Sequence, residues 1–369
     1  MNNRVKIVLV AAARPNFMKV APIAAELRRR AASTHPELEM RLVHTGQHYD
    51  ALMSATFFDE LQLPPPDVNL EVGSGSHAEQ TAAVMTSFEK FCLAEAPQWV
   101  VVVGDVNSTL ACALVCSKLG IKLAHVEAGL RSFDRRMPEE INRIVTDTLA
   151  DLLLTPSQDG DENLLREGVA KSKIVRVGNV MIDTLVSHLA QARRSEIPQQ
   201  LDIEPRRFVF ATLHRPSNVD ERASLAQIME ELGHLAQRLP VVFSIHPRTR
   251  KMLAQFGIDM QANGCLHLIG PVGYHDSLWL TEHAKLIITD SGGLQEESTY
   301  LGTPCLTLRP NTERPVTVTE GTNQLVATPE ELPALVMASV RSIGTRAPDG
   351  WDGMAGGRVI AALIARTSN

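Results

Sequence analysis

Apolar, β-branched runs alternate with segments of helical periodicity along the whole 369-residue chain. The runs predict strands at 5–12, 40–45, 99–104, 122–126, 152–155 and 174–177. After a gap, further strands are predicted at 208–213, 241–246, 266–269, 286–289 and 304–308. Many are continuously apolar, as expected of parallel strands covered on both faces. Helical patterns fill the intervals at 15–30, 77–95, 108–119, 138–150, 225–238 and 294–301, with a last one at 356–366. In the 138–150 helix, Ile141, Ile144, Val145 and Leu149 form the expected buried stripe, and Glu139 and Arg143 share a face on which they can pair. This βαβα order implies doubly wound parallel sheets. The pattern breaks once, in the polar segment 191–205 with its two prolines, which reads as an inter-domain linker. The expectation is an α/β protein of two Rossmann-like domains, 1–185 and 186–355, facing a central cleft at the carboxyl edges of their sheets. The final helix, 356–369, is expected to pack back on the first domain.

Composition narrows the picture by exclusion. The length suits two domains, each able to bury its own core. Net charge is −6 and aromatic content 4%, which argue against a nucleic-acid partner, since that needs a basic face or a stacking surface. An anionic small substrate needs only a local basic pocket. The five cysteines are scattered through apparently apolar elements, and Cys112 and Cys116 read as a core pair, not a metal site. Reduced thiols fit the cytoplasm. Residues 1–4 run straight into a strand pattern without a leader, and no apolar run reaches the ~20 residues of a membrane span. The expectation is a soluble cytoplasmic protein with no membrane partner.

The chemistry gathers at strand exits. Residues 285–289 run into Asp290-Ser291-Gly292-Gly293, and a helix follows at once. A small-residue turn at a helix N-terminus offers free N–H groups and the positive dipole end, a recipe for a phosphate or diphosphate. Glu297, one turn further, is placed to accept from ribose hydroxyls. Read alone, the same residues also fit an ordinary βα turn capped by Ser291. Arg14 and Lys19 bracket the first helix start, an unfavourable position for cations that an anionic ligand would offset. Asp105 and Glu127 end two buried strands, and Glu139 opens a helix after Pro138. Their expected convergence on one sheet edge would push carboxyl pKa values up and give an acid and a base near neutral pH. Ordinary capping roles remain the competing reading. His214, at another strand end, is able to contact phosphate or move a proton; a buried structural histidine is the alternative. His246 repeats the idea less clearly, and Arg314 offers a further phosphate or sugar contact. Neither G-x-G-x-x-G nor G-x-x-x-x-G-K-[ST] occurs, which removes the usual support for NAD or Walker-type ATP binding.

Taken together, these motifs resemble the non-hydrolysing UDP-N-acetylglucosamine 2-epimerase family across almost the whole chain. They are Ala13-Arg14-Pro15 with Lys19, Thr45-Gly46-Gln47-His48, Gly104-Asp105, the 125–131 run His-Val-Glu-Ala-Gly-Leu-Arg, Pro138-Glu139-Glu140, Asn142-Arg143, the 290–297 run and Thr312-Glu313-Arg314-Pro315. The resemblance implies a glycosyltransferase-B-like fold, a homodimer, a UDP-sugar substrate and no cofactor or metal. It implies that Ser291, Gly292, Gly293, Glu297 and Arg314 bind the UDP moiety and that Val272 lies in the turn flanking uracil. Arg14, Lys19, Asp105, Glu127, Glu139, Arg143 and His214 would then surround the sugar and diphosphate. Asp105, Glu127, Glu139 and His214 are the expected catalytic groups. The implied reaction is a reversible C2 epimerisation through elimination of UDP to a glycal. A hydrolysing epimerase, a glycosyltransferase and a non-catalytic nucleotide-sugar sensor are the alternatives. The versions of the motifs at 47–50 and 131–138 look like those of relatives acting on diacetamido-uronates.

Overall fold

The computed structural model describes residues 4–12, 14–46, 60–258, 265–337 and 347–367. The chain divides into two units: Met1–Thr184 with Asp349–Asn369, and Leu185–Pro348. The first division falls inside the helix Val180–Ala192.

Unit 1 holds strands β1 (Val5–Ala11), β2 (Leu38–His44), β3 (Val68–Asn69), β4 (Trp99–Val103), β5 (Lys122–Val126), β6 (Leu152–Thr155) and β7 (Ile174–Arg176), ordered β3-β2-β1-β4-β5-β6-β7. Every pairing is parallel. Every residue of β4 and of β6 is buried, which is why these strands read as unbroken apolar runs. The chain leaves β1 toward β2 and returns through β4, so the strand order reverses there. Loops after β1 and β4 turn opposite ways and leave a crevice at their carboxyl ends, the usual ligand position in such sheets.

Unit 2 repeats the plan with β8 (Val209–Thr212), β9 (Val241–Ser244), β10 (Leu266–Ile269), β11 (Leu286–Thr289), β12 (Cys305–Leu308) and β13 (Asn323–Val326) in the order β10-β9-β8-β11-β12-β13, again all parallel. Its reversal lies between β8 and β11. β13 escaped the sequence pattern because Asn323 and Gln324 interrupt its apolar character. The segment 191–205 is not a loose linker. It contains the helix Ile197–Leu201, and Ile197 and Ile203 join the core around Phe208, Phe210 and Trp279.

The helix Ala355–Thr367 packs on the helix Arg14–Ala31 inside unit 1. Arg30 Nη2 donates to Gly357 O at 3.1 Å, Trp99 Nε1 to Thr367 Oγ1 at 3.0 Å, and Trp351 Nε1 to Pro156 O at 3.1 Å. The helix Pro138–Leu149 departs from expectation. Its buried side chains are Glu140, Asn142, Arg143, Thr146 and Asp147, while Ile141 is exposed and Ile144, Val145 and Leu149 are half-buried. Charged partners inside unit 1 outweigh the apolar stripe in setting its rotation. Cys92, Cys112 and Cys116 are buried and burial pushes their thiols up, Cys92 to about 12. Cys265 is exposed, contrary to the apolar setting expected for all five. Among the described residues no helix is long and apolar enough to cross a membrane.

Candidate active site

In unit 1 the candidate residues gather where β1 meets the helix Arg14–Ala31, whose first turn has no acidic residue. Asn16 Nδ2 donates to Val103 O at 3.0 Å and fixes the helix start against the end of β4. Lys19 then points at Glu127, which follows β5: Nζ lies 2.5 Å from Oε2, and both side chains are buried. Gly104 makes room for this pair. Its φ is +68°, and a Cβ there would stand 3.0 Å from Lys19 Nζ and 3.6 Å from Glu127 Oε2. The cation near the helix start is therefore offset by a carboxylate of the chain itself. Glu127 sits in the left-handed region at φ +70°, a strained position for a side chain of this length. Only 4% of Glu127 is exposed, and among the described residues its Oε1 has no hydrogen-bond partner.

Asp105, one strand over, pairs with Arg143 Nη1, and Asn142 Nδ2 donates to Asp105 O at 2.8 Å. The second partner of Arg143 is Glu140, with Nη2 2.6 Å from Oε2. The expected Glu139–Arg143 pair is not formed; Glu139 makes no side-chain hydrogen bond or ion pair among the described residues. Position i+3 wins over i+4 because it lies on the inward face. Glu140 also accepts from Ser132 N at 3.0 Å and Phe133 N at 2.8 Å, which ties down the loop before the helix. Burial alone would raise the Glu140 carboxyl, but these N–H groups and Arg143 outweigh it and hold the pKa below the usual range. Behind them, the His125 ring meets Asp147 Oδ1 at 2.6 Å and Gly104 O at 2.8 Å, while Asp147 also pairs with Arg131 at 2.7 Å. Instead of unpaired carboxylates crowding together, Asp105 and Glu127 each have their own cation. Arg14 occupies the first helical position, but its side chain lies outside the described residues, as do Gln47 and His48.

In unit 2, Asp290 follows β11 and is fully buried. It accepts from His214 N, from Arg215 N at 2.8 Å and from Asn218 Nδ2 at 2.9 Å, and its Oδ1 is 3.0 Å from His214 Nδ1. Asn218 Nδ2 also donates to Leu308 O at 3.0 Å, so one carboxylate and one amide bind the exits of three strands together. Burial would raise the Asp290 carboxyl; the His214 ring, Asn218 and the backbone donors outweigh this and lower it. His214 is 37% exposed, so it is not a buried structural residue. His246 instead caps its helix, accepting from Arg248 N at 3.2 Å.

Ser291 precedes the helix Gly292–Leu301 without capping it by its side chain, so its hydroxyl does not occupy the first-turn N–H groups. A Cβ on Gly292 would lie 2.6 Å from Arg314 Nη1, so only glycine lets this guanidinium rest on the turn. Arg314 is held by Glu296 at 2.8 Å and by Glu313, which also grips Arg309 at 2.7 Å. Glu297 is buried against the Tyr274 hydroxyl. Burial, then the Glu296 charge, push it up to about 8 against the Tyr274 hydrogen bond. Val272 packs on the apolar cluster that contains Leu294 of the same helix. The partner roles of Glu140, Asp147, Asp290, Glu313 and Tyr274 are not visible in the sequence; only Asp290 carries a signal, its place directly after β11. Among the described residues, no group of three His, Cys, Asp or Glu side chains is disposed to hold a metal.

The model for the UDP-N-acetylglucosamine 2-epimerase family matches residues 30–363. The chain is 44% identical over 334 residues to a UDP-N-acetylglucosamine 2-epimerase of Methanocaldococcus jannaschii, covering 88% of this chain and 89% of the relative. It is 40% identical to the UDP-2,3-diacetamido-2,3-dideoxy-D-glucuronate 2-epimerase of Pseudomonas aeruginosa, with 96% of both chains covered. The crystal structure of the M. jannaschii UDP-GlcNAc 2-epimerase in complex with UDP-GlcNAc and UDP superposes with a TM-score of 0.89 at 41% identity, covering 98% of this chain and all of that one.

Proposed function

This chain belongs to the UDP-N-acetylglucosamine 2-epimerase family, an isomerase family, and we propose that it interconverts a UDP-N-acetylhexosamine and its C2 epimer. The observation that carries the reading is Glu127: a buried carboxylate, strained in its backbone, with one oxygen on Lys19 and the other without a partner among the described residues. An acceptor kept dry and unsatisfied is costly unless a ligand supplies its partner. In this reading a carboxylate of unit 1 takes the C2 proton as the C1–O bond breaks and UDP leaves with the bonding electrons, giving a C1=C2 glycal. The N–H groups of Gly292 and Gly293, with Arg314, carry the charge gathering on the diphosphate. Re-addition of the UDP oxygen to C1, with a proton delivered to the opposite face of C2, completes the cycle. Asp105, Glu127 and Glu139 are the acid/base groups; Ser291, Glu297 and Val272 serve the nucleoside, and Arg14, Lys19 and Arg143 the sugar and diphosphate.

A second reading changes only the sugar. Identity of 40% over 96% of both chains to the P. aeruginosa enzyme supports a diacetamido-uronate substrate beside the 44% identity to the M. jannaschii enzyme. NMR of both UDP-sugars in heavy water tests the two together. Deuterium entering C2 with little free UDP supports epimerisation and identifies the sugar. Stoichiometric UDP release would make the enzyme a hydrolase, and binding without exchange would make it a sensor.

A further inference from the structure

We propose that Asp290 is a positioning residue which fixes the tautomer of His214, protonated at Nδ1, and so presents Nε2 as the ring atom that meets the ligand. The geometry leaves Asp290 little choice. Its Oδ2 accepts three donors, His214 N at 3.0 Å, Arg215 N at 2.8 Å and Asn218 Nδ2 at 2.9 Å. Its Oδ1 faces His214 Nδ1 at 3.0 Å. A buried carboxylate has acceptors only, so Nδ1 must be the donor. That leaves Nε2 with its lone pair on a ring that is 37% exposed. The carboxylate stands immediately before Ser291, and Thr212 Oγ1 and Thr289 Oγ1 lie 3.1 Å apart across the two strands that lead to this spot. The imidazole is thus locked beside the anion-binding turn by the residue that begins it. Which proton Nε2 moves rests on the epimerase reading; the orientation does not.

Asp290→Asn makes a sharp test because the three donors at Oδ2 oblige the amide oxygen to stay there. The amide NH2 then points at Nδ1 and inverts the tautomer, with Nδ1 accepting and Nε2 protonated. Two-bond ¹H–¹⁵N correlation spectra of the neutral imidazoles read this directly, with His214→Gln assigning the ring. The expected result is Nδ1–H in the natural protein and Nε2–H in Asp290→Asn, with turnover falling by up to roughly 10⁴-fold, the scale of a wrong tautomer in a hydrolase triad. Nε2–H in the natural protein overturns the proposal without any variant, and so does an unchanged tautomer in folded Asp290→Asn. The spectra decide the inference even if no UDP-sugar exchanges deuterium, a result that would overturn the epimerase reading instead.

Discussion

In unit 1 Glu127 gives one oxygen to Lys19 and has no partner for the other among the described residues, whereas in unit 2 Asp290 has both oxygens filled by His214, Arg215 and Asn218. Glu139 likewise has no partner among the described residues, while Glu313 is engaged by Arg309 and Arg314. The consequence is chemical. One unit offers acceptors, which suit removal and return of a proton. The other uses its acids to hold an imidazole, a guanidinium and an uncapped helix start, all of which offer positive charge or N–H groups to an anion. In the proposed reading, two copies of one βα architecture would do different work according to whether a carboxylate such as Glu127 or Asp290 has an oxygen to spare.

The sharpest way to break this contrast is Glu127→Gln. Turnover should fall by about 10²–10⁴-fold, the usual worth of a general acid or base, while UDP affinity by calorimetry stays near that of the natural protein. Equal losses in both would erase the distinction. Gly292→Ala probes the other side. Its methyl group meets Arg314, and overpacking costs about 1–3 kcal/mol, so UDP binding should weaken and turnover should fall with it, because the same groups carry the charge of the leaving diphosphate. Undiminished UDP affinity would remove the turn from the account. The smallest effect concerns Glu297, which stays protonated up to about pH 8 when folded against an ordinary value of 4.5. A raised carboxyl pKa contributes stability that is fully present below the unfolded value and is lost as pH rises through the folded one. Thermal melts between pH 5 and pH 8.5 should therefore fall more steeply for the natural protein than for Glu297→Gln. Parallel slopes would remove the buried proton from the account.

The sheets were legible because strands covered on both faces leave continuous apolar runs. β13 was not, since Asn323 and Gln324 are satisfied by tertiary hydrogen bonds and pairing that no local window contains. Of the site, the strand-exit residues Asp105, Glu127, His214 and the 290–293 turn could be read, as a polar residue ending an apolar run stands out. Their partners could not. Whether Arg143 joins Glu139 or Glu140 depends on which face of the helix Pro138–Leu149 turns inward, and its aliphatic residues pointed to the wrong one. The tie from Asp290 to His214 spans 76 residues and becomes visible only when β8 and β11 lie side by side.

The return of residues 349–367 to unit 1 bears on biosynthesis. Trp99, Pro156, Val177 and the helix Arg14–Ala31 find their last partners only in Trp351, Arg358 and the helix Ala355–Thr367. A ribosome must therefore release the entire second unit before the first can be closed. The amino-terminal half emerges early and waits with part of its apolar surface uncovered, the interval in which a nascent chain is most exposed to aggregation and most in need of a chaperone.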